Sequence, residues 1–222
     1  MASRQEASAD RSAATQAAAR PTMTRTDVTT AAIALAERDG LDALTMRRLA
    51  AELGCAPMSL YTHVRNRDDL VDAIVARLIE RLGLHEVAGE SWQESVRRTL
   101  RAYRELAVAL PRSFELLALA PYDTTPVAPH LATVIAGLER SGLRPEQARQ
   151  ILGIVDAYAT GFLVVWARSR PEGRAAARGA AASGAPDAPE AGDLAGMREL
   201  ATFDHGLEAL IAGLDATLVQ PA

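Results

Sequence analysis

Between Leu44 and Val64 the chain carries a pattern that few folds can accommodate: two short apolar-faced segments joined at one glycine. Leu49, Ala50, Leu53, Cys55, Leu60 and Val64 share an inward face at helical spacing,. Gly54 stands where a tight inter-helix turn needs a positive φ, which glycine adopts without steric cost. Ala50 is small enough to let the two helices approach. Pro57 sits at the first position of the second helix, where its missing N–H is no loss. The outward positions are Arg47, Arg48, Pro57, Met58, Ser59, Tyr61, Thr62 and His63, followed by Arg65 and Arg67. This is the pattern of a helix-turn-helix.

Charge supports that reading only locally. The 222-residue chain has a net charge of −4, so it is not a general polyanion binder. From 44 to 67, however, four arginines face a single acid, Glu52. A basic island on a helix-turn-helix is the electrostatic footprint of phosphate contact. A short second helix of this kind enters the major groove, where an arginine can bridge the O6 and N7 of guanine. Tyr61 could instead be a core ring, and His63 could pack at the helix end.

The rest of the chain reads as helical. Hydrophobic residues make up 49% and aromatics only 4%, so the core is built from Leu, Ile, Val and Ala, which favours helices over strands,. Residues 1–23 read as a disordered arm. A first helix is expected from an N-cap at Thr26 to Asp39, with Gly40 ending it in the left-handed conformation. Helices then follow from Thr45 to Leu53, from Asn66 to Leu82, and from the capping box Ser91-Trp92-Gln93-Glu94 to Leu110. Pro111, Pro121, Pro126 and Pro129 punctuate shorter elements. Ser141-Gly142 closes a helix containing Leu131, Ile135 and Leu138, and Pro145 opens one reaching about Arg170. Residues 171–192 read as a flexible loop. A last helical region is expected over 194–219, broken near Asp204-His205-Gly206. The fold class is all-α, with no strand pattern and no repeat.

The one cysteine, Cys55, excludes an internal disulfide and reads as a small core residue in a cytoplasmic protein,. No leader segment is apparent. The most apolar stretch, 151–167, is interrupted by Asp156 and Thr160, so no membrane association is expected. A glycine-rich phosphate loop, a nucleophile elbow and a metal-ligand cluster are all missing, which leaves an enzymatic reading without support.

Thr45-Met46-Arg47-Arg48-Leu49-Ala50, Leu53-Gly54 and Leu60-Tyr61-Thr62-His63-Val64-Arg65-Asn66-Arg67 closely resemble the tetracycline-repressor (TetR) family, over residues 24–82. Weaker likeness continues through Gly89–Gln93 and Gly206–Leu214, similar to that family's own C-terminal subgroup. The resemblance implies a DNA-binding domain at 24–70 and an effector-binding and dimerisation domain at 71–222. It implies a homodimer on a palindromic double-stranded operator, most simply a repressor released by a small apolar or amphipathic effector. Thr45, Tyr61 and Arg67 would hold phosphates and Arg47 would read a base. Arg48 and Thr62 would join the contact surface, and Pro57, Met58, Ser59 and His63 would line the groove. Ala56-Pro57-Met58 departs from the family's founding member, so no operator sequence transfers.

In the C-terminal part, Gly153, Ala157 and Gly161 form one smooth helix strip, and Gly206 and Gly213 another. Together they are candidates for a four-helix dimer interface. Tyr103, Phe114, Leu117, Tyr122, Tyr158, Phe162 and Trp166 are candidates for an effector pocket, although each could equally be core. Asp156, in an apolar helix, either meets a ligand group or is buried against an arginine. His85, His130 and His205 are too scattered in sequence to argue a metal site, so no metal and no cofactor are expected. The alternative to a regulator is a helical protein-interaction module without an effector.

Overall fold

The computed structural model describes residues 23–170 and 196–220. Every regular element among them is helical. We number the helices α1 (Arg25–Asp39), α2 (Met46–Glu52), α3 (Pro57–Leu60), α4 (Arg67–Leu82), α5 (Trp92–Ala109), α6 (Pro111–Ala118), α7 (Val127–Arg140), α8 (Pro145–Ser169) and α9 (Leu200–Leu214). Short 3-10 turns at Leu41–Ala43 and Gly196–Arg198 and a π-turn at Asp215–Val219 complete the order. The expected arm and the expected 171–192 loop lie outside the described residues, apart from Met23.

The first three helices pack as the sequence pattern requires. Leu49, Ala50, Leu60 and Val64 are buried together with Val28, Ala32, Ile33 and Leu35 of α1. Gly54 takes φ 63° at the turn between α2 and α3. Helix α4 leaves this cluster through Leu70 and carries Ile74, Val75, Leu78 and Leu82 into the larger core. There α8 is the central rod, packed on α5, α6, α7 and α9. Its inward stripe is Ile151, Val155, Ala159 and Leu163, with no exposure above 1%. That stripe anchors α5 through Leu100 and Tyr103 and α9 through Phe203 and Leu207.

Three local expectations are corrected. The N-cap of α1 is Thr24, not Thr26. Thr24 is extended (φ −110°, ψ 163°), its hydroxyl accepts the Asp27 N–H at 3.1 Å, and the Asp27 carboxylate accepts the Thr24 N–H at 2.9 Å. This reciprocal cap needs an acid three residues on, and only Thr24 has one. Gly40 does have a positive φ, 91°, but its ψ of 162° is extended, so the chain leaves α1 directly rather than through a left-handed turn. Helix α9 runs unbroken through Asp204-His205-Gly206. Gly206 is there for clearance: a Cβ on it would land on the hydroxyl of Tyr158 from α8.

Helix α8 is long and apolar enough, by length and composition alone, to cross a membrane, despite Asp156 and Thr160. In this fold one side of it is core, and the other carries exposed Gly153, Ile154, Ala157, Gly161 and Val165.

Candidate DNA interface and effector cavity

The exposed surface of α2 and α3 holds most of the residues the sequence singled out. Thr45 caps α2, its hydroxyl accepting the Arg48 N–H at 3.3 Å, and keeps a proton to donate outward. Ala56 is extended ahead of Pro57, and Leu60 plugs the four-residue α3 into the core. Pro57, Met58, Ser59, Tyr61 and Thr62 stay exposed. Met58 is 74% and Tyr61 45% exposed, so the Tyr61 ring is a surface group and not core. The Thr62 hydroxyl donates to the Ser59 carbonyl at 2.7 Å and stiffens the turn. His63 is half-buried at the turn's end.

The four arginines of the island are not equivalent. Arg47 and Arg67 are exposed and make no ion pair among the described residues. Arg65 lies 3.6 Å from Asp69 with its side chain 87% exposed. Arg48 instead grips Asp39 at 2.6 Å, while Arg38 holds both Asp39 and Glu52. Arg48 is therefore first a tie between α1 and α2. The island's one acid, Glu52, is held below its usual carboxylate range by the Arg38 guanidinium. Phosphate contact would thus meet little acidic opposition.

One organising residue has no signal in the sequence pattern. Arg25, at the start of α1, donates to the His63 carbonyl at 2.5 Å and to both carboxylate oxygens of Asp69 at 2.8 and 3.2 Å. Asp69 also accepts the Arg65 N–H at 2.7 Å, and Asn66 caps α4 through the Asp69 N–H at 2.8 Å. The Arg25 guanidinium holds the Asp69 carboxyl far below the ordinary range. One ion pair thus fixes the end of the recognition turn against the first turn of α4. Its partners are 44 residues apart, beyond the reach of periodicity.

A cavity of about 820 Å³ opens among α4, the 83–91 connector, α5 and α7. Ile79 and Glu80 of α4, Arg98 and Thr99 of α5, and His130 and Val134 of α7 contribute to its wall. His85 and His130, far apart in sequence, share it, whereas His205 lies exposed on α9. Among the described residues no cluster of three His, Cys, Asp or Glu side chains is placed to hold a metal.

The model of the family described as "Bacterial regulatory proteins, tetR family" matches residues 28–74, from α1 into α4. Over these residues the chain has the N-terminal segment of that family. Similarity extends past that segment. An HTH-type transcriptional regulator of Saccharopolyspora erythraea is 27% identical over 91% of this chain and 89% of its own. ActR of Streptomyces coelicolor, solved in complex with actinorhodin, is 25% identical with a TM-score of 0.65, covering 86% of this chain and 96% of that one. A point variant of TetR from Acinetobacter baumannii, solved in complex with minocycline, is 26% identical with a TM-score of 0.65, covering 87% and 93%.

The residues expected to form the pocket are divided among several places, and none lines the large cavity. Tyr103 and Asp156 reach a narrow crevice behind it, walled also by Leu152 and Val155. Phe114 and Leu117 are buried core. Tyr158 and Phe162 pack on Phe203 of α9, with ring centroids 5.4 and 5.5 Å away. Trp166 lies under the Arg170 guanidinium. Rings gain most by burying large area against one another, and here they do so at the α8–α9 seam. Phe203, the centre of that cluster, gives no sequence signal because it is the one Phe, Tyr or Trp in its own helix. Asp156 has no arginine partner among the described residues; it accepts a 2.5 Å hydrogen bond from Tyr122, an exposed ring in the loop after α6. Burial pushes the Asp156 carboxyl up, while the Tyr122 hydroxyl pulls it back down.

The small-residue strips also divide. Gly153, Ala157, Gly161 and Gly213 are exposed, and among the described residues no group would lie within 4 Å of a Cβ added at the three glycines. Gly206 instead sits beneath the Tyr158 ring of its own chain.

Proposed function

We propose that this chain is a homodimeric tetR-family repressor whose α3 enters the major groove of a palindromic operator, and which a small molecule in the 820 Å³ cavity releases,. The observation that carries this reading is that α4 serves both sites. Its last turns, Ile79 and Glu80, wall the cavity, while its first turn, through Asp69, is locked to the recognition turn by Arg25. An occupant that tilts α4 must move α3. The solved relatives bound to actinorhodin and to minocycline make a multi-ring organic effector a reasonable template.

On this reading Arg47 reads a base; Thr45, Tyr61 and Arg67 hold phosphates; Pro57, Met58, Ser59 and His63 line the groove. Arg48 and Thr62 buttress that surface. The exposed strip of Gly153, Ile154, Ala157, Gly161 and Val165, with Gly213 on α9, is the face we assign to the dimer. The domain division at 24–70 and 71–222 is kept, with α6 and α4 as its seam.

The test is selection of bound fragments from random duplex DNA with the full chain, then gel-shift titration at several salt concentrations. We expect an inverted repeat, half-sites about one helical turn apart, and strong salt dependence. Arg47→Ala should weaken the selected site by about 10-fold or more and relax one base position. Binding indifferent to sequence and to Arg47→Ala would overturn the reading. It would leave the helical protein-interaction module.

A further inference from the structure

The charges on the wall of the large cavity are already neutralised. Glu80, Glu86 and Glu90 line it, and each is paired: Glu80 with Arg77 at 2.8 Å, Glu86 with Arg140 at 2.7 Å, and Glu90 with Arg98 at 2.7 Å. No lining carboxylate is left for a cation, and the two lining arginines are held by Glu86 and Glu90. The neutral donors are mostly engaged as well. Ser141 and Thr133 donate to the carbonyls of Leu138 and Pro129, and Nδ1 of His85 meets the Gly83 carbonyl at 3.0 Å.

Two polar groups are different. The Thr99 hydroxyl, on an α5 residue 8% exposed, makes no hydrogen bond with any described residue. His130 uses one ring nitrogen, Nε2, which lies 3.1 Å from the Tyr103 hydroxyl; no described residue bonds its Nδ1. The Tyr103 and His130 rings are stacked with centroids 6.4 Å apart, which fixes the imidazole plane. Both Thr99 and His130 line the large cavity and the crevice behind it, so they stand at the junction of the two spaces. Burial of His130 favours its uncharged form, and burial likewise keeps Tyr103 a phenol. When Tyr103 donates to Nε2 the imidazole proton sits on Nδ1, and when Nε2 donates Nδ1 is an acceptor; in either tautomer the pair Thr99–His130 offers two hydrogen bonds without charge,.

We propose that the effector is an uncharged, largely apolar ring compound that presents one carbonyl or hydroxyl edge to Thr99 and His130. This rests on the cavity being the effector site. A charged ligand held inside would have to part the largely buried Glu90–Arg98 pair or enter desolvated and unpaired, and either is costly, whereas the Glu80–Arg77 and Glu86–Arg140 pairs are solvent-exposed and hold little,. An uncharged one needs only the two free groups, and the aliphatic wall of Ile79, Leu84 and Val134 takes the rest.

The test is a fragment panel on the full-length protein, read by ligand-observed NMR and by titration. It holds equal numbers of uncharged, carboxylate and ammonium two- and three-ring compounds, 1,8-dihydroxyanthraquinone and its 3-carboxylate among them. Comparison with a Val134→Trp variant, which fills the cavity, marks the compounds bound there. We expect cavity binders to be drawn from the uncharged set, with the carboxylate analogue at least 10-fold weaker. His130→Phe and Thr99→Val should each weaken them 5-fold or more, and Thr99→Ser should restore most of the loss. Circular dichroism melts confirm that each variant is folded; for a variant that is not, His130→Gln supplies the same comparison. Charged compounds binding in the cavity as tightly as uncharged ones would overturn the inference and leave the effector site standing. So would binding indifferent to both side chains. Binders that survive Val134→Trp, or none at all, would remove the cavity as the effector site and the inference with it.

Discussion

Glu37 of α1 accepts the backbone N–H of Ser113 at 2.6 Å and that of Arg112 at 3.3 Å, so a carboxylate from the DNA-binding module closes the N-terminus of α6. Pro111 occupies the first position of that helix and Leu110 before it offers no side-chain cap. Glu37 therefore supplies from a distance what an N-cap residue supplies locally, and adds a charge opposite the helix dipole. Replacing it with alanine should cost about 1 kcal/mol. Amide exchange at Arg112 and Ser113 should quicken, with Glu37→Gln in between. Unchanged protection in Glu37→Ala would show that α6 holds its first turn unaided.

The Arg25–Asp69 pair predicts a pH-dependent stability. Asp69 is an acid whose carboxyl the fold holds far below the usual range. Its contribution is complete above the unfolded value of about 3.9 and is lost as pH falls through the folded one. Arg25 is half exposed, so solvent screening limits the effect, and Asp69→Asn should cost about 1–2 kcal/mol at pH 7,. In urea melts the gap between variant and parent should narrow below about pH 4. A gap of equal size at pH 7 and at about pH 2.5 would argue against the pair as its source.

Tyr122 and Asp156 predict the opposite sign. Burial raises the Asp156 carboxyl, so stability from this group grows as pH falls through its folded value,. Tyr122→Phe strands a half-buried carboxylate and should cost about 1–3 kcal/mol at pH 7. The loss should shrink on acidification as Asp156 takes a proton. The same contact pushes the Tyr122 phenol up to about 12. Ultraviolet titration of Asp156→Asn should return it toward about 10.

Gly206→Ala would ordinarily stabilise a helix by about 1 kcal/mol. Here the added methyl meets Tyr158, whose hydroxyl donates to the Phe203 carbonyl at 2.8 Å and whose ring stacks on Phe203. Displacing it should destabilise by about 1–3 kcal/mol. In a Tyr158→Ala background the same change should be close to neutral or stabilising. A double-mutant cycle from thermal melts measures this coupling.

What the sequence made legible follows from range. Caps and turns are local, so Asn66, Ser91, Pro57 and Gly54 could be placed from their neighbours. The helix-turn-helix face was readable because its inward and outward residues alternate at helical period. Arg48, by contrast, is held by Asp39 in another helix, and only the fold brings those two together. The cavity was not legible because it is lined by aliphatic side chains, paired charges and a connector rather than by rings. The rings converge instead on Phe203, more than forty residues from Tyr158 and Phe162 in α8.

Helix α4 is capped at both ends, by Asn66 and by left-handed Gly83, and its 16 residues make a rod about 24 Å long,. A rod converts a small angle into a displacement. Tilting it by about 5° around the Gly83 end carries the Asn66 end through about 2 Å. In the two-fold dimer proposed above both ends would move along paths related by the rotation axis, and the separation of the two reading heads would change by up to about 4 Å. That exceeds the tolerance of a hydrogen bond to a base edge, which is exhausted within a few tenths of an ångström. In the dimer proposed above there would be no need to unfold or to slide large surfaces: a few degrees of angular play, multiplied by arm length, would be sufficient to put both heads out of step with the duplex.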